Sequence, residues 1–215
     1  MEPVMNTPLY ISAIRFPAAS NAATTAWRDF YMLHKLVYSA FATKEDATAA
    51  RPLFRFDLEG EYGYLYVQST QEPNWARIPE PIRAHLIGPL QYEIPAADRL
   101  RFRLLARPSW HVPRGRAVNG KQKRYALKTE KEQMEWLLRK GEEHGFSVES
   151  CILTERVWHD TKENEQHKGG PKPLIGIQYD GILAVTDREK LHQAIQTGIG
   201  PQKAYGFGLL SVAPL

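Results

Sequence analysis

Tyr31, His34, Lys35 and Tyr38 stand at positions i, i+3, i+4 and i+7 of a stretch running over residues 27–41. On a helix that spacing stacks all four on one face. An imidazole titrates near neutrality without help, so Tyr31 and His34 together offer two proton-transfer groups on one surface. The plainer account of such a face is an aromatic edge holding one satisfied histidine. A second stretch shifts the balance. Near the end of the chain, Gly198, Gly200, Gly206 and Gly208 bracket Lys203 and lead into a short apolar run. Glycine tolerates positive φ and lets a ligand approach the main chain closely. Exposed N–H groups beside an ammonium favour phosphate. The pattern is not a P-loop, since no Gly-Lys-Ser/Thr follows, and it lies at the wrong end of the chain for a dinucleotide fingerprint.

The distribution of charge names the kind of partner. The formal net charge is only +4, yet ten of the 28 basic residues fall between Arg99 and Lys128 without a single acid. The other 18 face 24 acidic residues, so the remainder carries −6. Positive charge gathered in one segment is the footprint of a polyanion ligand. Within it Trp110 and Tyr125 are placed to stack on bases while the cations take phosphates; anchoring a hairpin to its sheet is their alternative role.

A proton-transfer pair, a phosphate-suited loop and a polyanion stripe together describe cleavage of RNA by its own 2′-hydroxyl. That reaction needs a base near the 2′-OH, an acid for the leaving 5′-oxygen, and positive charge on the developing phosphorane. It needs no metal. His85, His111, His144, His159, His167 and His192 are scattered without carboxylates at ligand spacing, and no paired acidic motif of the magnesium-dependent kind occurs. No cofactor is expected.

The elements that must position these groups follow from pattern. Residues 9–16, 52–59, 62–70, 100–106, 146–157, 174–185 and 209–212 read as strands, and residues 27–41 as a helix with Phe30, Leu33, Val37 and Phe41 on its apolar stripe. A weak helix over residues 81–87 is closed by Gly88-Pro89. Thr129 and Glu132 form a capping box for a helix to about Glu143, with Met134, Leu137 and Leu138 toward the core and Arg139 and Lys140 answering the helix dipole. Asp187 caps a helix to about Gln196. Residues 107–124 read as an extended basic hairpin with turns at Pro113-Arg-Gly115 and Asn119-Gly120, and residues 158–173 as a polar loop. The order gives an α+β chain of two tandem ferredoxin-like (βαββαβ) units, residues 1–95 and 96–215, joined near Ala96.

With one cysteine, Cys151, no internal disulfide forms, which suits a reducing compartment. No basic, apolar leader opens the chain, and no run reaches the roughly 18 apolar residues of a membrane span. A cytoplasmic protein with no membrane partner is expected.

At residue level the chain resembles the CasE-type CRISPR repeat-RNA endoribonucleases of the RAMP superfamily. The closing sequence GIGPQKAYGFGLLSVAPL is similar to that family's glycine-rich signature, Tyr31-Met-Leu-His34 to its Tyr-x-x-His, and LRFRLLARP over residues 100–108 to its central basic strand. The likeness spans nearly the whole chain; residues 158–173 are the least recognisable part. It implies metal-independent cutting at the base of a precursor crRNA repeat hairpin, leaving a 5′-hydroxyl and a 2′,3′-cyclic or 3′-phosphate. It also implies retention on the crRNA 3′ hairpin beside the other Cascade subunits. His34 is then the proton-transfer residue and Tyr31 its partner, with the identity of the base left open. Lys35, Arg103, Arg107, Arg114, Arg116, Lys121, Lys123, Arg124 and Lys128 would grip RNA, and Lys203 with Gly198, Gly200, Gly206 and Gly208 the phosphate. The competing reading is a non-catalytic subunit that only holds the hairpin, for which Tyr31 and His34 have no use. A nucleotide-binding regulatory protein is disfavoured by thirty acid-free residues, an excess for one small ligand.

Several neutralised phosphates make binding strongly salt-dependent. Affinity for repeat RNA, measured by filter binding between about 50 and 200 mM salt, is expected to fall by orders of magnitude; a flat affinity would remove the basic segment from the interface.

Overall fold

The computed structural model describes residues 8–17, 30–78, 80–83, 85–111, 124–159 and 173–215. Strand β1 (Leu9–Pro17) turns Ile14 and Phe16 into the first core. Helix α1 (Phe30–Tyr38) covers that side of the sheet; of the expected stripe Leu33 and Val37 are buried and Phe41 joins them just past its end, while the side chain of Phe30 lies outside what is described. A second helix, α2 (Lys44–Ala50), is absent from the sequence-based assignment. Its apolar face consists of Ala47 and Ala50, too small to create a visible hydrophobic period. It is nonetheless well specified, because Thr43 and Asp46 form a capping box. It stops at Arg51, whose φ is 47° and which precedes Pro52.

Strands β2 (Leu53–Glu59) and β3 (Tyr62–Ser69) form the expected hairpin. A 3-10 turn (Trp75–Arg77) and the short α3 (Glu80–Arg83) lead to β4 (Leu86–Tyr92). The weak helix assigned over residues 81–87 is therefore corrected: it ends at Arg83, and Gly88-Pro89 lies inside a strand instead of stopping a helix. A Gly-Pro pair fits there because β4 is an edge strand, where a missing N–H leaves the ladder intact. Gly88 itself has φ 95°, and a Cβ on it would stand 2.7 Å from the Ile11 carbonyl oxygen. The first sheet is antiparallel in the order β2-β3-β1-β4.

The second half repeats the plan. Strand β5 (Arg99–Ala106) is followed by a two-stranded ribbon, β6 (Ser109–His111) with β7 (Arg124–Ala126), which forms the base of the expected basic hairpin. The turns at Pro113-Arg-Gly115 and Asn119-Gly120 lie outside the described residues. Helix α4 (Glu130–His144) carries the Thr129/Glu132 capping box and ends at Gly145 in the left-handed region. Its core face is Gln133, Trp136, Leu137 and Gly141, with Met134 partly buried; Leu138, expected inside, is 44% exposed. Strands β8 (Phe146–His159) and β9 (Pro173–Val185), helix α5 (Arg188–Thr197) capped by Asp187, a 3-10 turn (Lys203–Tyr205) and β10 (Leu210–Pro214) complete it. The second sheet is antiparallel in the order β10-β5-β9-β8. Both sheets thus place the first and third strands of a βαββαβ unit in the centre, the ferredoxin-like arrangement, twice.

The two cores interlock, since Leu105 and Phe207 enter the first and Leu9 the second. Between the sheets runs a charged seam. Asp57 is fully buried; it accepts from Arg55 Nε at 2.9 Å and Arg103 Nη1 at 3.3 Å, and Arg156 Nη1 lies 3.6 Å away. Arg55 also donates across the seam to the Leu209 carbonyl (3.2 Å) and Ser211 Oγ (3.0 Å), and Arg156 to the Phe56 carbonyl (3.3 Å). Arg103 completes the seam by pairing with Asp180 at 2.6 Å and Glu59 at 3.4 Å. Removing one member of a buried charge cluster leaves the others uncompensated, at a cost of about 3–5 kcal/mol. Asp57→Asn is expected to lose stability on that scale in urea denaturation, and a loss below about 1 kcal/mol would show that the arginines find other partners.

Candidate active site

Helix α1 and the glycine loop come from opposite halves of the chain and meet. The Lys203–Tyr205 turn packs on α1. His34, half-buried, lies against it: burial pushes its pKa below the ordinary 6.5, and a hydrogen bond to the Ala204 backbone offsets part of that. Its Nδ1 is buried and has no hydrogen-bond partner among the described residues. The Tyr38 ring packs 4.0 Å from the imidazole, tilted by 36°, so the i, i+4 spacing does bring these two together. Burial raises the Tyr38 pKa and keeps the phenol neutral. A neutral, desolvated imidazole with one nitrogen uncommitted is suited to take or give a proton. Lys35 is exposed on the same helix. Tyr31 lies on α1 by its backbone, one turn before His34; its side chain lies outside what is described.

The loop is held at both ends. Ile199 is buried in the second core and Phe207 in the first. The Ile199 N–H donates to the Gly208 carbonyl at 2.9 Å, and the Gly208 N–H to the Leu105 carbonyl at 2.7 Å. A Cβ at Gly208, where φ is 91°, would come 2.9 Å from the Ile199 carbonyl oxygen, so this crossing requires glycine. The Gly198 and Gly206 N–H groups likewise donate internally, to Ala194 and Lys203. This alters the expected role of the loop. The amides of Gly198, Gly206 and Gly208 are committed to backbone carbonyls of α5, the turn and β5 respectively, and what the turn presents is Lys203. Its stem lies beside Gly208, and its ammonium is half-buried; burial and then the nearby Arg51 push its pKa down. A crowded, partly desolvated cation of this kind favours an incoming anion.

The other basic positions divide. Arg107 donates to Gln202 Oε1 at 2.8 Å and so braces the loop at a residue in the left-handed region (φ 62°). Arg103 is drawn into the seam, where carboxylates already match its charge. Pairing of this kind is invisible in an acid-free local sequence, because Asp57, Glu59 and Asp180 come from distant strands. Lys128 is exposed beyond β7. Arg124 lies on β7 opposite His111, its side chain not described, and Arg114, Arg116, Lys121 and Lys123 lie outside the described residues. Arg51 went unnoticed in sequence; the Thr43 capping box that ends in Arg51-Pro52 was the signal available.

Among the described residues no group of three or more His, Cys, Asp or Glu is gathered as a metal site, and no helix is long and apolar enough to cross a membrane.

Known proteins resemble this chain in sequence and fold. The family described as CRISPR associated protein matches residues 9–214. The CRISPR-associated endoribonuclease Cse3 of Thermus thermophilus is 31% identical over 221 residues, covering 96% of this chain and all of that protein. The CRISPR system Cascade subunit CasE of Escherichia coli is 31% identical over 201 residues, 88% of this chain and 95% of its own. The structure of Thermus thermophilus Cse3 bound to an RNA representing a pre-cleavage complex superposes with a TM-score of 0.80 at 28% identity, over 96% of this chain and all of that one. On sequence and fold together, the chain belongs to the family of CRISPR-associated proteins that includes Cse3 and CasE.

Proposed function

We propose that this chain is an endoribonuclease that cleaves the repeat hairpins of precursor crRNA and stays on the crRNA 3′ hairpin as a Cascade subunit. The observation that carries the mechanism is the meeting of His34 with the Lys203 turn. The 2′-oxygen next to the scissile phosphate attacks phosphorus, and its proton passes to a base. The P–O5′ bond breaks, and the departing oxygen takes a proton from an acid. The products are a 2′,3′-cyclic phosphate, open to hydrolysis to a 3′-phosphate, and a 5′-hydroxyl. His34 moves one of these protons, and Tyr31, one helical turn away, is its partner. Lys203 faces the charge that develops on the non-bridging oxygens, where a preset cation lowers the barrier most. No residue in this scheme requires a metal or cofactor. The first half, residues 1–95, supplies the proton-transfer helix; the second, residues 96–215, supplies the basic hairpin and the loop. Arg107 acts by bracing the loop, and Lys35, Lys128 and the hairpin cations Arg114, Arg116, Lys121, Lys123 and Arg124 hold RNA. We place the protein in the cytoplasm.

Incubation in EDTA with repeat RNA, beside a matched RNA carrying a single 2′-deoxy at the cut, tests the reaction. Only the all-ribose RNA should be cut. Cutting of both would mean that water attacks. Tight binding without cutting would leave a hairpin-holding subunit. His34→Ala is expected to abolish cutting while affinity stays within a few fold; equal loss of both would make His34 structural.

The pH profile assigns the proton. Burial disfavours the imidazolium, so His34 stays neutral below its ordinary value of 6.5. With His34 as the base, the single-turnover rate falls on the acid side with a midpoint below 6.5. A rate that instead falls as pH rises through this range makes His34 the acid and Tyr31 the base.

A further inference from the structure

Lys203 also lines a groove of about 610 Å3 between the β6–β7 ribbon, the C-terminal half of α4 and the glycine loop. Arg139, Lys140, His144, Trp110 and Lys203 line it, with the largely buried Trp136 as its floor. Gly200 lets the loop lie on that floor, since a Cβ there would already stand 3.2 Å from the Trp136 ring. One carboxylate, Glu143, answers both Arg139 (3.7 Å) and Lys140. Three cations against one acid leave the groove positive. His144 senses this: burial first, then Lys140 and Lys203, push its pKa down against the opposing pull of Glu143. Trp110 is 48% exposed at the other wall, its ring tilted by 30° against Tyr125 at 6.0 Å. Answering the helix dipole explains one basic residue at the end of α4 but not an aromatic wall opposite.

We propose that this groove binds the stretch of single-stranded RNA next to the scissile phosphate, Arg139 and Lys140 taking a backbone phosphate and Trp110 stacking on the adjoining base. Cations along a groove with an aromatic face are the elements by which proteins hold single strands. Lys203 belongs to both places, so the groove continues directly from the site of cleavage. A phosphate there would share Arg139 and Lys140 with Glu143 and offset the two ammoniums that neighbour His144. The inference rests on the endoribonuclease reading for the identity of the ligand.

The test is binding of 2′-deoxy-blocked repeat RNA across a salt series, with the full chain. For R139A/K140A the slope of log K against log salt is expected to become shallower by about 0.7 for each single-strand phosphate that is no longer neutralised. Trp110→Ala is expected to weaken binding severalfold with the slope unchanged. Lys131→Ala, which removes a cation from the exposed start of α4, is expected to bind as wild type. Thermal melting verifies that each variant folds; Lys140→Gln with Trp110→Ala carries the test if the double variant does not. Slope and affinity indistinguishable from those of Lys131→Ala would overturn the groove and leave Arg139 and Lys140 as partners of Glu143 only. Cleavage of all-ribose RNA by the wild type is scored separately, so loss of the endoribonuclease reading and loss of the groove are distinct results.

Discussion

The arrangement hangs on one buried carboxylate. Asp57 has no access to water and holds three guanidinium groups, from Arg55, Arg103 and Arg156. A charge in such a place is tolerable only when it is paired and hydrogen-bonded. Arg55 and Asp57 lie on β2 of the first sheet; Arg103 and Arg156 belong to strands of the second. The carboxylate therefore fixes how the two sheets face each other. Arg55 reaches on to the Leu209 carbonyl and Ser211, at the mouth of β10, where the glycine loop ends. Registering the sheets thereby registers the loop against α1.

The candidate site is a product of that registration. His34 stands on a helix whose apolar stripe locks into the first core. Lys203 stands on a turn whose flanks, Ile199 and Phe207, are each sunk in a different core. Neither residue is on a freely moving segment, which suits chemistry that depends on preset distances. Burial acts oppositely on the two groups' utility: it keeps the imidazole neutral and ready for a proton, and leaves the ammonium in want of an anion.

Much of this was legible in the sequence, and the reasons are specific. Strands with branched and aromatic alternation, and helices with capping residues at the right spacing, announced themselves. Helix α2 did not, because alanines give no period. Strand β4 did not, because Gly88-Pro89 resembles a stop signal unless the segment is known to be an edge. The chemical types at the site were legible as well, with His34 and Lys203 each singled out from local spacing. The packing of the Lys203–Tyr205 turn on the helix of His34 was not, being a contact between segments more than one hundred positions apart. Arg103 shows the same limit in reverse. In a local window it is one cation among ten without an acid; in space it has three acidic partners.

The loop's double anchorage has a temporal consequence. A nascent chain grown as far as α5 already carries His34, yet it lacks Lys203, Phe207 and the crossing at Gly208 that seat the Lys203–Tyr205 turn on α1. On the mechanism proposed, α1 is thus made early and stays idle while more than one hundred and fifty residues follow it. On that mechanism competence arrives with a single late segment, and a polypeptide still being translated is chemically silent toward the transcripts around it.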